Sequence, residues 1–128
     1  MKQRVFWSII ACMAASSGIG YAHHSFAATY DDRRSIQIEG SIVQVLFRNP
    51  HSFVTVDDKN GVRWGIEWGG VSQLFTRGVN RDTLKTGDQV VITATPGREP
   101  EDHRALMKAL RRPSDGFAWG NLPGQTFE

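Results

Sequence analysis

Cysteine is almost missing from this chain. The single residue, Cys12, falls in a leading stretch that reads as a cleavable export signal, so the mature protein can form no disulfide and offers no thiolate. Thiolate zinc sites, iron–sulfur clusters and cysteine-nucleophile chemistry are thereby excluded. Long apolar runs are lacking too: Val5 to Ala15, interrupted by Ser8 and followed by Ser16, Ser17 and Gly18, falls short of the roughly 20 residues of a transmembrane span. Nor is there an excess of either charge. Lys2 and Arg4 leave with the signal, and the 15 basic against 13 acidic side chains of the whole chain become 13 against 13. No basic block remains, since Arg111-Arg112 is too small a patch and Arg33-Arg34 is neutralised by Asp31-Asp32, so a nucleic-acid partner is not expected. The sequence also has no Gly-x-Ser-x-Gly elbow, no phosphate-cradling glycine loop, no Gly-x-Gly-x-x-Gly fingerprint and no His-Glu-x-x-His pair.

What is there begins with the signal itself. Lys2 and Arg4 supply its positive end, Val5 to Ala15 its apolar middle, and Gly20-Tyr21-Ala22 places small residues three and one positions before a cut after Ala22. Residues 1–22 are therefore set apart from the fold, and the mature protein is expected in the periplasm or secreted. Ile9-Ile10-Ala11-Cys12 resembles a lipobox, which would instead tether the chain through Cys12, although Cys12 lies early and leaves little apolar run before it. The remaining residues, about 106, suffice for one domain with one core.

Residues 36–120 read as that domain, with 23–35 as an N-terminal segment and 121–128 as a flexible tail. Ile36, Ile38, Gly40 and Ile42 keep one alternation phase and Val43, Val45 and Phe47 the other, which predicts a bulge or sharp bend inside one long strand, eased by Gly40. Asn49-Pro50 breaks the run, Phe53, Val54 and Val56 resume it, and Asn60-Gly61 closes a turn. Trp64, Ile66 and Trp68 alternate as a third strand. Val71 to Thr76 is predicted as a short helix with Leu74 and Phe75 inward and Gly78 closing it. Gln89 to Ala94 is dense in β-branched residues and reads as a buried fourth strand, followed by a loop over Pro96 to Asp102. Ala105 to Arg112 has helical propensity but alternates, and is assigned as a fifth strand because an eight-residue helix is marginal alone and the barrel needs an edge partner. Phe117 to Trp119 can pair back as a short final strand. The order predicts an all-β fold, a small five-stranded OB-like barrel with one short helix between strands 3 and 4.

Several stretches carry a family resemblance. These are His23-His24-Ser25-Phe26-Ala27-Ala28, Tyr30-Asp31, Arg48-Asn49-Pro50-His51, Trp64-Gly65-Ile66-Glu67, Leu74, Arg77-Gly78, Arg81-Asp82 and Leu84-Lys85-Thr86-Gly87-Asp88. In their order and spacing they resemble a family of small exported bacterial proteins classed as a domain of unknown function. The chain departs from that pattern at Gly70-Val71, where Ser-Pro is commoner, and at Val79, in place of Trp. The resemblance implies an exported single-domain β-protein and no established activity.

Chemistry must then be read from residues. A cut after Ala22 gives His23 a free α-amine beside its imidazole Nδ1, a chelating pair that resembles half of the histidine brace of exported copper proteins. His24 supplies a second imidazole, or binds copper with the terminal amine and the intervening amide. His51, after the stiff Pro50, is the third candidate ligand, and Glu67 can complete the site or orient a ring N–H. Nitrogen donors with one carboxylate favour Cu(II), with Zn(II) or Ni(II) as alternatives. Met107, the one mature thioether, argues against a Met-rich Cu(I) carrier. Each candidate also has a plain structural explanation: a free terminus with adventitious copper affinity, His51 capping its corner, Glu67 paired with Arg63, and His103 solvated in an acidic loop. Trp64 and Trp68, with Phe53, either fill the core or present an aromatic face to a partner. Two functions therefore stand side by side: a copper sensor, buffer or delivery module, and a metal-free module that binds a protein or envelope polymer through Trp64 and Trp68. Copper-dependent oxidation at an open brace is the one enzymatic chemistry with a physical basis, and a small barrel offers it little room for a substrate pocket.

Overall fold

The computed structural model describes residues 25–121. After a helical turn over residues 25–29, six strands follow: β1 (Ile36–Leu46), β2 (Phe53–Asp58), β3 (Arg63–Glu67), β4 (Gln89–Pro96), β5 (Arg104–Arg112) and β6 (Phe117–Gly120). One short helix, α1 (Val71–Phe75), lies between β3 and β4, and a 3₁₀ turn over Pro100–Asp102 occupies the loop before β5. The strands run in the order β3-β2-β1-β4-β5-β6, and β3 also pairs with β5 in parallel. Five strands thus close into the expected OB-like barrel, with β6 added outside the ring on β5.

β1 is long enough to serve both sides of the barrel because it bends. Its first half pairs with β4 from Ile36↔Ala94 to Ser41↔Gln89, and its second half with β2 from Gly40↔Asp58 to Leu46↔Phe53. The register slips between Ile42 and Gln44, so Val43 is the extra residue that moves the inward phase from Ile38 and Ile42 to Val45 and Phe47. Gly40 has a different task from the expected one. A Cβ there would lie 2.1 Å from the Asp57 carbonyl oxygen, so this glycine permits close strand approach just before the bulge. The predicted β2–β3 turn forms with Gly61 at φ 79°.

The core is one cluster in which Ile38, Ile42, Val54, Val56, Ile66 and Ile92 meet inside the ring and Leu74 plugs it from α1. Phe75 departs from expectation and is 69% exposed. Neighbouring helix positions differ by about 100° in direction, so only one of Leu74 and Phe75 can face the barrel. Val79, whose N–H donates to the Leu74 carbonyl at 3.0 Å, is buried in the second inward place. Residues 105–112 are strand, as assigned. There the barrel gives one strand three partners, β4 along one edge and β3 then β6 along the other, and ladder hydrogen bonds on both edges outweigh the small helical preference of Ala, Leu, Met and Lys.

Candidate functional site

The corner between β1 and β2 is held by Ser52, which is fully buried. Its hydroxyl donates to the Arg48 carbonyl and accepts from the Arg48 N–H, both at 3.2 Å. Its backbone N–H donates to the Gly69 carbonyl at 3.1 Å, and its carbonyl accepts from the Trp68 N–H at 2.8 Å. The Asn49–Pro50 peptide is cis. Gly70 lies against this turn, for a Cβ there would sit 2.4 Å from the Pro50 carbonyl oxygen and 2.8 Å from Asn49 Oδ1. The corner is therefore fastened at both ends and rests on bare backbone.

His51 projects from that corner to Glu67, at the end of β3. His51 Nδ1 bonds Glu67 Oε1, and since an ionised carboxylate only accepts, the proton sits on Nδ1 and Nε2 is the free ring nitrogen. The second oxygen, Oε2, accepts the Tyr30 hydroxyl at 2.5 Å. Burial first, then this hydrogen bond and the charge of Glu67, push the Tyr30 phenol above its ordinary pKa of 10.0, while the Arg104 charge opposes them. The Glu67 side chain is 14% exposed and the His51 ring 36%. Expected in part as a partner of Arg63, Glu67 takes neither role with it: Arg63 grips Asp57 with two hydrogen bonds of 2.7 and 2.8 Å.

The N-terminal segment covers this pair. Phe26 stacks on the His51 ring at 5.4 Å between centroids and 23° between planes, and on Tyr30 at 6.3 Å. Arg98 fastens the segment through its side chain to the Ala27 carbonyl at 2.8 Å and through its N–H to the Thr29 carbonyl at 3.0 Å. Tyr30 bridges Gly97, and the Asp31 N–H donates to Pro96 at 3.0 Å. Phe26, His51 and Glu67 together separate two cavities. The larger, about 410 Å³, reaches to Trp68, Met107 and Trp119. The smaller, about 220 Å³, is completed by Ser25, Thr29 and Tyr30.

Of the residues singled out in the sequence, His51 and Glu67 are thus brought together, while His23 and His24 lie outside the described residues. Among the described residues, no group of three or more His, Cys, Asp or Glu side chains is placed to hold a metal ion. Trp64 and Trp68 stand in different surroundings. Trp64 is half-buried, donates from Nε1 to Asp58 Oδ2 at 3.1 Å and meets the edge of His103 at 5.4 Å. Trp68 is 3% exposed, packs edge-on against Trp119 at 5.1 Å and forms a wall of the larger cavity. Tyr30 and Phe26 were not singled out for a role. Their spacing of four, which puts two aromatics on one side of a helical turn, was the available signal.

No helix among the described residues is long and apolar enough to cross a membrane. No curated protein shows significant similarity to the chain. A family model matches residues 10–105, a span that takes in the segment carrying Phe26 and Tyr30, the His51 corner, Glu67 and the strands through β4. The chain therefore belongs to DUF6152, a family of unknown function.

Proposed function

We propose that this protein is an exported metal-binding module, with Cu(II) the preferred ion, acting as a sensor, buffer or delivery domain. One observation carries this reading: a half-buried carboxylate fixes His51 through Nδ1, which leaves Nε2 oriented as a ligand at low entropic cost. Carboxylate–imidazole pairs of this kind are the usual support of metal-binding histidines. Because both Glu67 oxygens are already engaged, Glu67 is a positioning residue and the remaining donors must come from elsewhere.

The N-terminal segment is the natural source. Phe26 is stacked on the His51 ring, and covalent geometry limits residue 24 to roughly 7 Å, and residue 23 to roughly 11 Å, from residue 26 along the chain. Processing after Ala22 would free the His23 amine, and His23 and His24 are then the donors nearest in sequence to Phe26 that could join His51 Nε2. Nitrogen donors of this type favour copper over zinc or nickel.

Copper titration against a competing chelator tests this. One extra residue before His23, and separately His51→Ala, should each lower Cu(II) affinity strongly. Glu67→Gln should lower it by about 10- to 100-fold, since the ring is then less firmly held. Unchanged affinity in both the extended protein and His51→Ala would exclude this site.

A further inference from the structure

The larger cavity has a chemistry of its own. Its volume, about 410 Å³, lies within the range of small-molecule sites, roughly 300–1,000 Å³. Phe26, Trp68, Met107 and Trp119 give it aromatic and thioether walls, suited to a flat ring. Its polar lining mixes acceptors and donors, with His51, Glu67, Gln73 and Arg77 all on the wall. Glu67 is its one carboxylate, and both oxygens of that group are taken by His51 and Tyr30. Trp68 Nε1 and Trp119 Nε1 are buried with no hydrogen-bond partner among the described residues. The two rings cross at 87°, an arrangement in which at most one N–H can face the other's π cloud, so at least one donor has no acceptor among the described residues. Arg77, carried just beyond α1, reaches the same cavity, is exposed and forms no salt bridge among the described residues.

From the aromatic walls, the unpaired indole donors and the exposed guanidinium we propose that the cavity binds a small planar organic carboxylate, its ring among Trp68, Trp119 and Met107 and its carboxylate on Arg77. A guanidinium matches a carboxylate with two parallel hydrogen bonds, and a ligand oxygen supplies the acceptor that an indole N–H lacks. Small movement of an indole ring is required, since each Nε1 is buried. The inference goes beyond metal binding and does not depend on it.

Titration of the mature protein in the presence of a chelator separates the two. Benzoate serves as the probe, with benzamide as its uncharged counterpart and acetate as the anion without a ring. The readouts are the Kd and the NMR resonances of the indole N–H groups. Benzoate should bind about tenfold more tightly than either control, should move the Trp68 or Trp119 resonance and should leave that of Trp64 in place. Arg77→Gln, at an exposed position where folding is not at stake, should bring benzoate to the benzamide level. Silence of both indole resonances at about 10 mM benzoate, corresponding to less than about 3 kcal/mol of binding, would overturn the inference. So would equal affinity for benzoate and benzamide, or an Arg77→Gln protein that binds benzoate unchanged. Because chelator is present throughout, these results are independent of whether copper binds.

Discussion

At the residue scale Glu67 joins two parts of the chain that are 37 and 16 positions away. Tyr30 and His51 each occupy one carboxylate oxygen, so removing the Tyr30 hydroxyl strands a shielded acceptor. Tyr30→Phe is expected to cost about 1–2 kcal/mol at neutral pH, measured by urea denaturation. Its pH dependence has a definite sign. The Tyr30 phenol is raised in the folded state above 10.0, so its contribution is complete below pH 10 and is lost as pH rises from there toward the folded value. The wild-type midpoint should therefore fall more steeply above pH 10 than that of Tyr30→Phe, and parallel alkaline limbs would contradict the bond. Only part of this triad was legible in the sequence. Proline before His51 and a lone carboxylate in the third strand were visible signals. Tyr30 was not, since a strand pattern says nothing about which distant hydroxyl will reach the end of that strand.

The elements show what periodicity can and cannot carry. The phase slip in β1 was readable, because a two-residue repeat that changes face requires one unpaired residue, here Val43. Phe75 was not, because five helical residues contain too little repeat to fix a face. Two substitutions test the observed assignment: Leu74→Ala should cost about 2–5 kcal/mol, whereas Phe75→Ser should stay within about 0.5 kcal/mol of wild type. The loop after Glu67 illustrates the opposite limit. Gly70 stands out in the sequence only as a departure from the family pattern, and its contact with the Pro50 carbonyl depends on tertiary approach. Gly70→Ala should destabilise by about 1–3 kcal/mol through overpacking. The same change should displace the His51 corner, so copper affinity measured against chelator should fall along with the urea midpoint.

For the whole molecule, closure rests on a short parallel contact of three residue pairs, Gly65↔Arg104, Ile66↔Ala105 and Glu67↔Leu106. Ile66 fills the core at that seam. Ile66→Ala should cost about 2–5 kcal/mol in cooperative unfolding. The barrel topology could be inferred from element order, since six strands with one helix after the third leave few arrangements. Its acid limb has a separate origin. Asp57 is held low by Arg63, Asp58 by the Val62 N–H and Trp64, and Asp115 by Arg112. Their stabilisation is complete above the ordinary value of 3.8 and is lost as pH falls through the lower folded values.

The stacking of Phe26 on His51 couples docking of the leading residues to whatever the imidazole holds. On the proposed reading, an ion held jointly by that ring and the leading residues would, by reciprocity, tighten the grip of the segment on the barrel by the same factor. Nicking by a nonspecific protease around Ser25 should then be slower with copper added than with chelator, and equal rates would count against the proposed site.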